Sequence, residues 1–367
     1  MNTTLIKLNW PAIGLLAGTI IGAGVFSLPF IFYSAGVWLG LAYLVGVSLI
    51  YVITYWLYAD IILRTGGEHR FVGYAQIYLG EFGFWLANLA AVFGSVLSMT
   101  VYLILAPSFA KLLGNFGSFE AVLVFWLLGT LTIFASLRRF ALVELLITLG
   151  MLAIIVLLFG LGAGEISRIE FSQALDWASA FLPLGAVLFS LSGLVAIAPL
   201  VKLIGRQNVL SIRTVIFVGI LLSAILYGLF ALAVIGLSGT PSADAVSGLA
   251  GKIPEWVLAG VGVLGILALW SSYIAVGLNL RDVLRLDFNW HRFTGAVMVT
   301  GAPLVFYFAG LTDFITLISF IGGIFLALEG ILIILMWQSA RQKFYPALIF
   351  LAIPFLAAIL YEIIKLL

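Results

Sequence analysis

The chain is 367 residues long, 64% hydrophobic and 9% charged, with a net charge of +2 and a mean hydropathy of +1.27. Those values lie far outside the range of soluble domains and identify a polytopic membrane protein. Scattered basic residues argue against a nucleic-acid partner, the lack of cysteine excludes disulfides and thiolate chemistry, and the two histidines, His69 and His291, sit in polar connectors, so neither a metal centre nor a cofactor is expected.

The residues before Trp10 show no cleavage-site pattern, and the apolar run after them is too long for a signal-peptide core, so it reads as a retained first span. A span needs about 20 apolar residues to cross about 30 Å of hydrocarbon. On that measure eleven follow in order. The first five run from Trp10 to Ser34, Gly36 to Leu63, Phe82 to Leu113, Phe119 to Ser136, and Leu142 to Leu161. The next six run from Trp177 to Leu203, Ile212 to Leu237, Trp256 to Leu284, Phe293 to Ala309, Phe314 to Trp337, and Ala347 to Leu366. The prediction is an all-α membrane protein forming a single integral-membrane domain over residues 1–367, with no soluble domain to carry a separate activity.

The first span carries an interruption. Gly18 to Pro29 reads GTIIGAGVFSLP, three glycines and a proline inside an apolar run. An unpaired backbone group in lipid costs several kcal/mol, so a break at bilayer depth survives only where protein or a watery cavity surrounds it. Two connectors, Thr65 to Glu81 and Ser238 to Glu255, are long enough for short interfacial helices, and serve either as lids or as plain links. The sixth span repeats the design of the first. Phe189, Ser190, Leu191, Ser192 and Gly193 interrupt it and Pro199 follows, as Pro29 follows Gly24.

With five spans between them, these motifs enter from opposite faces, which predicts paired broken helices meeting near the midplane in an inverted repeat. The repeats cover residues 10–161 and 177–337, and residues 347–366 add an eleventh helix. With the N-terminus cytoplasmic, 13 of the 17 lysines and arginines fall on the cytoplasmic side, leaving Lys111, Arg168, Lys252 and Lys365 opposite. The expected location is therefore the inner or plasma membrane, multi-pass, with the C-terminus outside.

The run Gly18, Thr19, Ile20, Ile21, Gly22, Ala23, Gly24, Val25, Phe26 resembles the first-helix pattern of the amino acid/polyamine/organocation transporter superfamily. Eleven spans, AIAPLVKLIG from Ala196 to Gly205 and SSYIAVGLNLRDVL from Ser271 to Leu284 resemble, more narrowly, the amino acid/auxin permease family and its bacterial tryptophan and tyrosine permease branch. The resemblance implies a leucine-transporter-type fold and alternating-access transport of an amino acid. Substrate and bilayer are the partners implied; no obligate protein partner is evident.

The residues agree with that chemistry. Backbone N–H groups of Gly22, Ala23 and Gly24 at a half-helix start suit an α-carboxylate, and a larger side chain at Gly24 would fill the space the ligand's main-chain end requires. Carbonyls freed around Thr19 and Ile20, and around Phe189, Ser190 and Gly193, suit an ammonium. The side-chain pocket falls to the third, sixth, eighth and tenth spans, with Tyr102 and Ser192 on its wall and Phe26 and Phe189 as gates; any one of the 29 phenylalanines is equally at home in packing or against lipid.

Two coupling ions remain open. By the resemblance, Na⁺ would lie between carbonyls of Gly18 and Ile21 and the residues Ala268, Ser271 and Ser272. Yet Gly18 stands where sodium-coupled relatives often carry Asn, and membrane serines commonly bond their own helix. Proton coupling needs an intramembrane acid. Glu329, deep in the tenth span, is the first candidate; Glu144 is the second, or it pairs with Arg138 or Arg139. The branch resembled is generally proton-coupled, which favours H⁺. A non-transporting sensor would use the same site. No nucleophile, base and orienting group are recognisable together, so an enzyme is not expected.

Overall fold

The computed structural model describes residues 9–66, 69–114, 116–134, 140–169, 180–288 and 290–367. The expected end of the fourth span at Ser136, the start of the sixth at Trp177, and Arg138 and Arg139 lie outside the described residues. Within them the chain is all-helical. Eight helical stretches are long and apolar enough to cross a membrane, and the bent pair Trp10–Ile20 with Ala23–Ala35 makes up to nine. Two further apolar helices, Ser118–Phe134 and Arg292–Phe308, have 17 residues each. At 1.5 Å per residue they reach about 26 Å, the lower edge of a span, which is why a sequence count of eleven exceeds a count by length.

The first span opens at α1 (Trp10–Ile20), where the Asn9 side chain accepts from the Ala12 amide at 3.2 Å and Pro11 needs no hydrogen-bond partner. It stops at Ile21 (ψ 86°) and the extended Gly22, makes a tight helical turn over Ala23–Ser27, and resumes as α2 (Leu28–Ala35), the two parts bent by 49°. Then come α3 (Val37–Arg64) and α4 (Phe71–Asn88), which kinks at Gly80, whose φ of 68° few other residues adopt cheaply. The long connector expected on the cytoplasmic side thus contains a helical segment. A π turn over Leu89–Phe93 leads into α5 (Gly94–Leu113), followed by α6 (Ser118–Phe134) and α7 (Phe140–Gly162).

The sixth span is α8 (Leu182–Ser190) and α9 (Leu194–Ile204), separated at Leu191–Gly193. It is followed by α10 (Val209–Ser238), α11 (Glu255–Leu286) and α12 (Arg292–Phe308). The connector from Ser238 to Glu255 holds only a short turn at Ser247–Leu249, not the interfacial helix that its length allowed. The tenth span is α13 (Phe314–Phe320), a π turn over Ile321–Leu326, and α14 (Ala327–Arg341); α15 (Ala347–Leu366) ends the chain.

Both breaks are buried in protein and stitched by tyrosines. The long α10 packs along α1 and α2 on either side of the first break, and α3 packs along α8 and α9 on either side of the second. Tyr51 on α3 donates to the Leu188 carbonyl at 2.8 Å, and the Tyr55 hydroxyl accepts from the Gly193 amide at 2.8 Å. On α10, the Tyr227 hydroxyl lies 2.6 Å from the Ile20 carbonyl and 3.1 Å from that of Ser190. These hydroxyls supply partners that helix geometry no longer provides.

Where the breaks approach each other, small residues are obligatory. A Cβ on Gly24 would collide with the Ser190 backbone, and one on Gly322 in the tenth-span π turn would run into the Gly185 carbonyl of α8 and lie 2.9 Å from the Phe189 amide. Close backbone approach of this kind is how membrane helices gain packing energy. One end of the bundle is tied by charge: a single oxygen of Asp60 accepts from Trp337 at 2.8 Å, Arg341 at 2.9 Å and Arg64 at 3.0 Å. At the same end Arg70 meets Asp282 at 2.6 Å.

Gly322→Ala should therefore lower the unfolding midpoint sharply or abolish folded yield in size-exclusion chromatography. Gly46→Ala on α3, where nothing lies within 4 Å, should be neutral or stabilising by up to about 1 kcal/mol. Tyr55→Phe leaves the buried Gly193 amide without its acceptor, a loss of about 1–3 kcal/mol that thermal unfolding in detergent would register.

Candidate functional site

Between the two breaks lies a cavity. Its walls are Thr19, Ile20, Gly22, Ala23 and Gly24 of the first span, Gly94, Ser95, Ser98 and Tyr102 of α5, and Phe189, Ser190, Ser192, Leu194 and Val195 of the sixth span. Ser272, Ala275, Val276 and Asn279 of α11 and Leu326 and Glu329 of the tenth span complete them. The cavity volume is about 80 Å³.

Helical periodicity accounts for the lining. Ser95, Ser98 and Tyr102 succeed one another at i, i+3 and i+7, and Ser272, Ala275, Val276 and Asn279 at i, i+3, i+4 and i+7, each one face of a helix. Each π turn comes immediately before its lining residues and inserts one extra residue, rotating the downstream helix by about 100° relative to an unbroken one. Leu89–Phe93 precedes Gly94 and Ser95; Ile321–Leu326 precedes Glu329. The two turns pack on each other, with the Phe93 and Phe325 rings nearly parallel and their centroids 6.4 Å apart.

Three hydroxyls in the wall are already engaged with their own helices. Ser98 donates to Gly94 at 2.7 Å, Ser190 to Ala186 at 2.7 Å and Thr19 to Leu15 at 2.8 Å. Among the described residues, Glu329 is the one charged side chain in the wall, and no lysine, arginine or histidine joins it. The cavity thus combines backbone amides, hydroxyls, the Asn279 amide and one carboxylate.

The structure brings Thr19, Ile20, Gly22, Ala23, Gly24, Tyr102, Phe189, Ser190, Ser192, Ser272 and Glu329 together around this space. It places others elsewhere. Phe26 does not line the cavity: it is buried in an aromatic trio, 4.6 Å from the ring of Phe109 and 5.8 Å from that of Phe230. Gly193 lies behind the wall, against Leu16 and Ile20. The room left by Gly24 is taken by the Ser190 backbone and not by open space, because the two broken rods touch there. The Ile20 and Ser190 carbonyls are not free either, since both face the Tyr227 hydroxyl, which the Gly22 amide also approaches.

The set expected for sodium is split. Ser272 comes up to Gly22, whose Cβ would lie 2.5 Å from its hydroxyl, and Ser271 and Ala268 are buried on α11. Gly18 instead faces α7, where a Cβ would meet the Thr148 hydroxyl at 2.6 Å and Glu144 at 3.3 Å. Ile21 is the buried residue at the break. Glu144 is buried as well, 3.5 Å from the Thr19 hydroxyl, one side chain removed from the cavity. Motifs alone miss Asn279, Ser95, Ser98 and Leu326; the spacing of seven from Ser272 to Asn279, and from Ser95 to Tyr102, is the signal that marks two of them.

Known proteins agree with this architecture. A tyrosine permease from Enterobacter agglomerans is 25% identical over 372 residues, covering 91% of this chain and 88% of its own length. Among solved structures, MhsT in complex with L-phenylalanine superposes with a TM-score of 0.69 at 15% identity, covering 97% of this chain and 99% of that one. Mhp1, a nucleobase-cation-symport-1 family transporter with bromovinylhydantoin bound, gives 0.64 at 15% identity, covering 88% and 76%. These likenesses establish the fold. The family profile matches residues 7–360, and the chain therefore belongs to the tryptophan/tyrosine permease family: a multi-pass membrane permease and not an enzyme.

Proposed function

We propose that the protein is a secondary active transporter that carries a neutral or aromatic amino acid together with a proton by alternating access. The observation that carries the reading is the cavity between two helix breaks, walled by backbone amides and hydroxyls around one carboxylate and, among the described residues, no cationic side chain. Helix N-termini there suit a carboxylate, and hydroxyls and Glu329 suit an ammonium or a proton. The curated relative named a tyrosine permease supports an amino acid as cargo, and as the wider home we propose the amino acid/auxin permease family, on the resemblance of the first-helix run Gly18 to Phe26 and of the runs Ala196 to Gly205 and Ser271 to Leu284.

The topology we propose counts both 17-residue helices as spans, giving eleven, arranged as five plus five with one added. An internal correspondence supports the repeat. Tyr55 lies 18 residues after Val37, the start of α3, and Tyr227 lies 18 residues after Val209, the start of α10; each serves the break of the other half-repeat. The positive-inside distribution supports a cytoplasmic N-terminus and a C-terminus outside. Among the coupling ions we favour H⁺, with Glu329 as carrier because it lines the cavity, and Glu144 next because it meets Thr19. Gly18 faces Thr148 and Glu144 of α7, which weakens the sodium set.

Uptake of the twenty labelled amino acids into proteoliposomes, under separate proton and sodium gradients, tests this directly. Accumulation driven by an inward proton gradient is expected for an aromatic substrate; binding without accumulation under either gradient would leave a sensor. Glu329→Gln should abolish the dependence of uptake on the proton gradient, and unchanged dependence would move the role to Glu144. Ser271→Ala together with Ser272→Ala should reduce uptake only modestly, whereas loss of a sodium-driven component would restore the sodium reading.

A further inference from the structure

The most unusual point in the molecule is the Tyr227 hydroxyl. It is fully buried on α10, and the last carbonyls of two half-helices end on it: Ile20, which closes α1, at 2.6 Å, and Ser190, which closes α8, at 3.1 Å. The Gly22 amide approaches the same oxygen. A helix C-terminus carries roughly half a negative charge, so two of them aimed at one point create a place for a cation. A neutral phenol stands there instead, with one proton for two carbonyls.

We propose that Tyr227 is the positioning residue of the site: its hydroxyl takes a cation's place where the two broken helices cross, and it pins both half-helices that bound the cavity. The exclusions arise from occupancy. The phenol stands between these two carbonyls and the substrate's ammonium, which takes its acceptors from the rest of the wall. A cation such as Na⁺ has no room at the crossing, so coupling to an ion cannot run through this point. The contrast with Tyr55 sharpens the assignment, because Tyr55 serves a single break and accepts from the Gly193 amide, whereas Tyr227 links two. The meaning of the pin for coupling rests on the transport reading, but its test does not use transport.

The test is thermal unfolding of the purified full-length protein in sodium chloride and in choline chloride at equal ionic strength. Tyr227→Ala bares both carbonyls and opens the space of the ring, so sodium should raise its midpoint by at least about 2 °C more than it raises that of the wild type. Tyr227→Phe, whose ring still fills the space but brings no proton, should have a lowered midpoint and no added sodium response. A Tyr227→Ala protein that responds to sodium no more than the wild type overturns the proposal. Should that variant not fold, hydrogen exchange of Tyr227→Phe decides: exchange should rise at both breaks, around residues 20–24 and 190–194. Unchanged exchange at either break, or a rise confined to α10, overturns it. A protein that accumulates no amino acid yet gives these shifts loses the transport reading and keeps the pin.

Discussion

Everything in this architecture depends on finding partners for backbone groups that two broken helices leave unpaired in the middle of an apolar bundle. Water would do it in a soluble protein; at bilayer depth, away from a watery cavity, each orphan would cost several kcal/mol. The fold answers with phenols delivered by neighbouring helices that run unbroken past each interruption, α3 past the sixth span and α10 past the first. Tyrosine suits this task because its apolar ring packs like phenylalanine while its tip donates or accepts. Tyr51, Tyr55 and Tyr227 are all nearly inaccessible to solvent, so their hydroxyls have no better partners to turn to. The breaks are thereby kept open as shape without being left open as chemistry, and the cavity inherits a defined wall.

A second constraint acts on the wall opposite. The π turns at Leu89–Phe93 and Ile321–Leu326 touch each other and rotate the residues after them toward the cavity. The tenth-span turn is also where α8 makes its closest backbone contact, through Gly185 and Gly322. The half-helix before the sixth-span break and the helix that carries Glu329 therefore share one rigid contact. A displacement of α8 cannot leave the tenth span unaffected, since packed interfaces of this kind have discrete arrangements and do not stretch.

Much of this is legible in the amino-acid sequence, and the parts that are not share a cause. Glycine and proline inside apolar runs locate both interruptions to within a few residues: either motif alone could serve helix packing, but GTIIGAG with the later Pro29 and Phe189 to Gly193 with the later Pro199 stand in corresponding positions. Eleven residues named from those motifs and from helix-depth arguments line the cavity. Pairings over long sequence separations escape. Tyr227 is 207 residues from Ile20, and 13 tyrosines give no hint of which one reaches a break. Phe26 reads as a gate because it comes after the glycines, yet beyond them it already packs with Phe109 and Phe230. The π turns leave no mark in composition at all, so the sequence places Glu329 at the right depth but not on a particular face.

The position of the two buried acids carries the last step. Coupling requires that the free energy of binding one species depend on the presence of the other, and such dependence is reciprocal. A carboxylate that forms part of the wall, as Glu329 does, changes the field felt by any zwitterion in the cavity when it gains or loses a proton. Glu144 reaches the same space only through the Thr19 hydroxyl at 3.5 Å, and Thr19 already donates to Leu15. On the proton-coupled reading we propose, a proton on Glu144 would have to act by shifting α1, whereas a proton on Glu329 would act on the ligand directly. On our reading, the tenth-span π turn is then what makes coupling local, because without its extra residue the same carboxylate would point about a quarter turn away from the substrate.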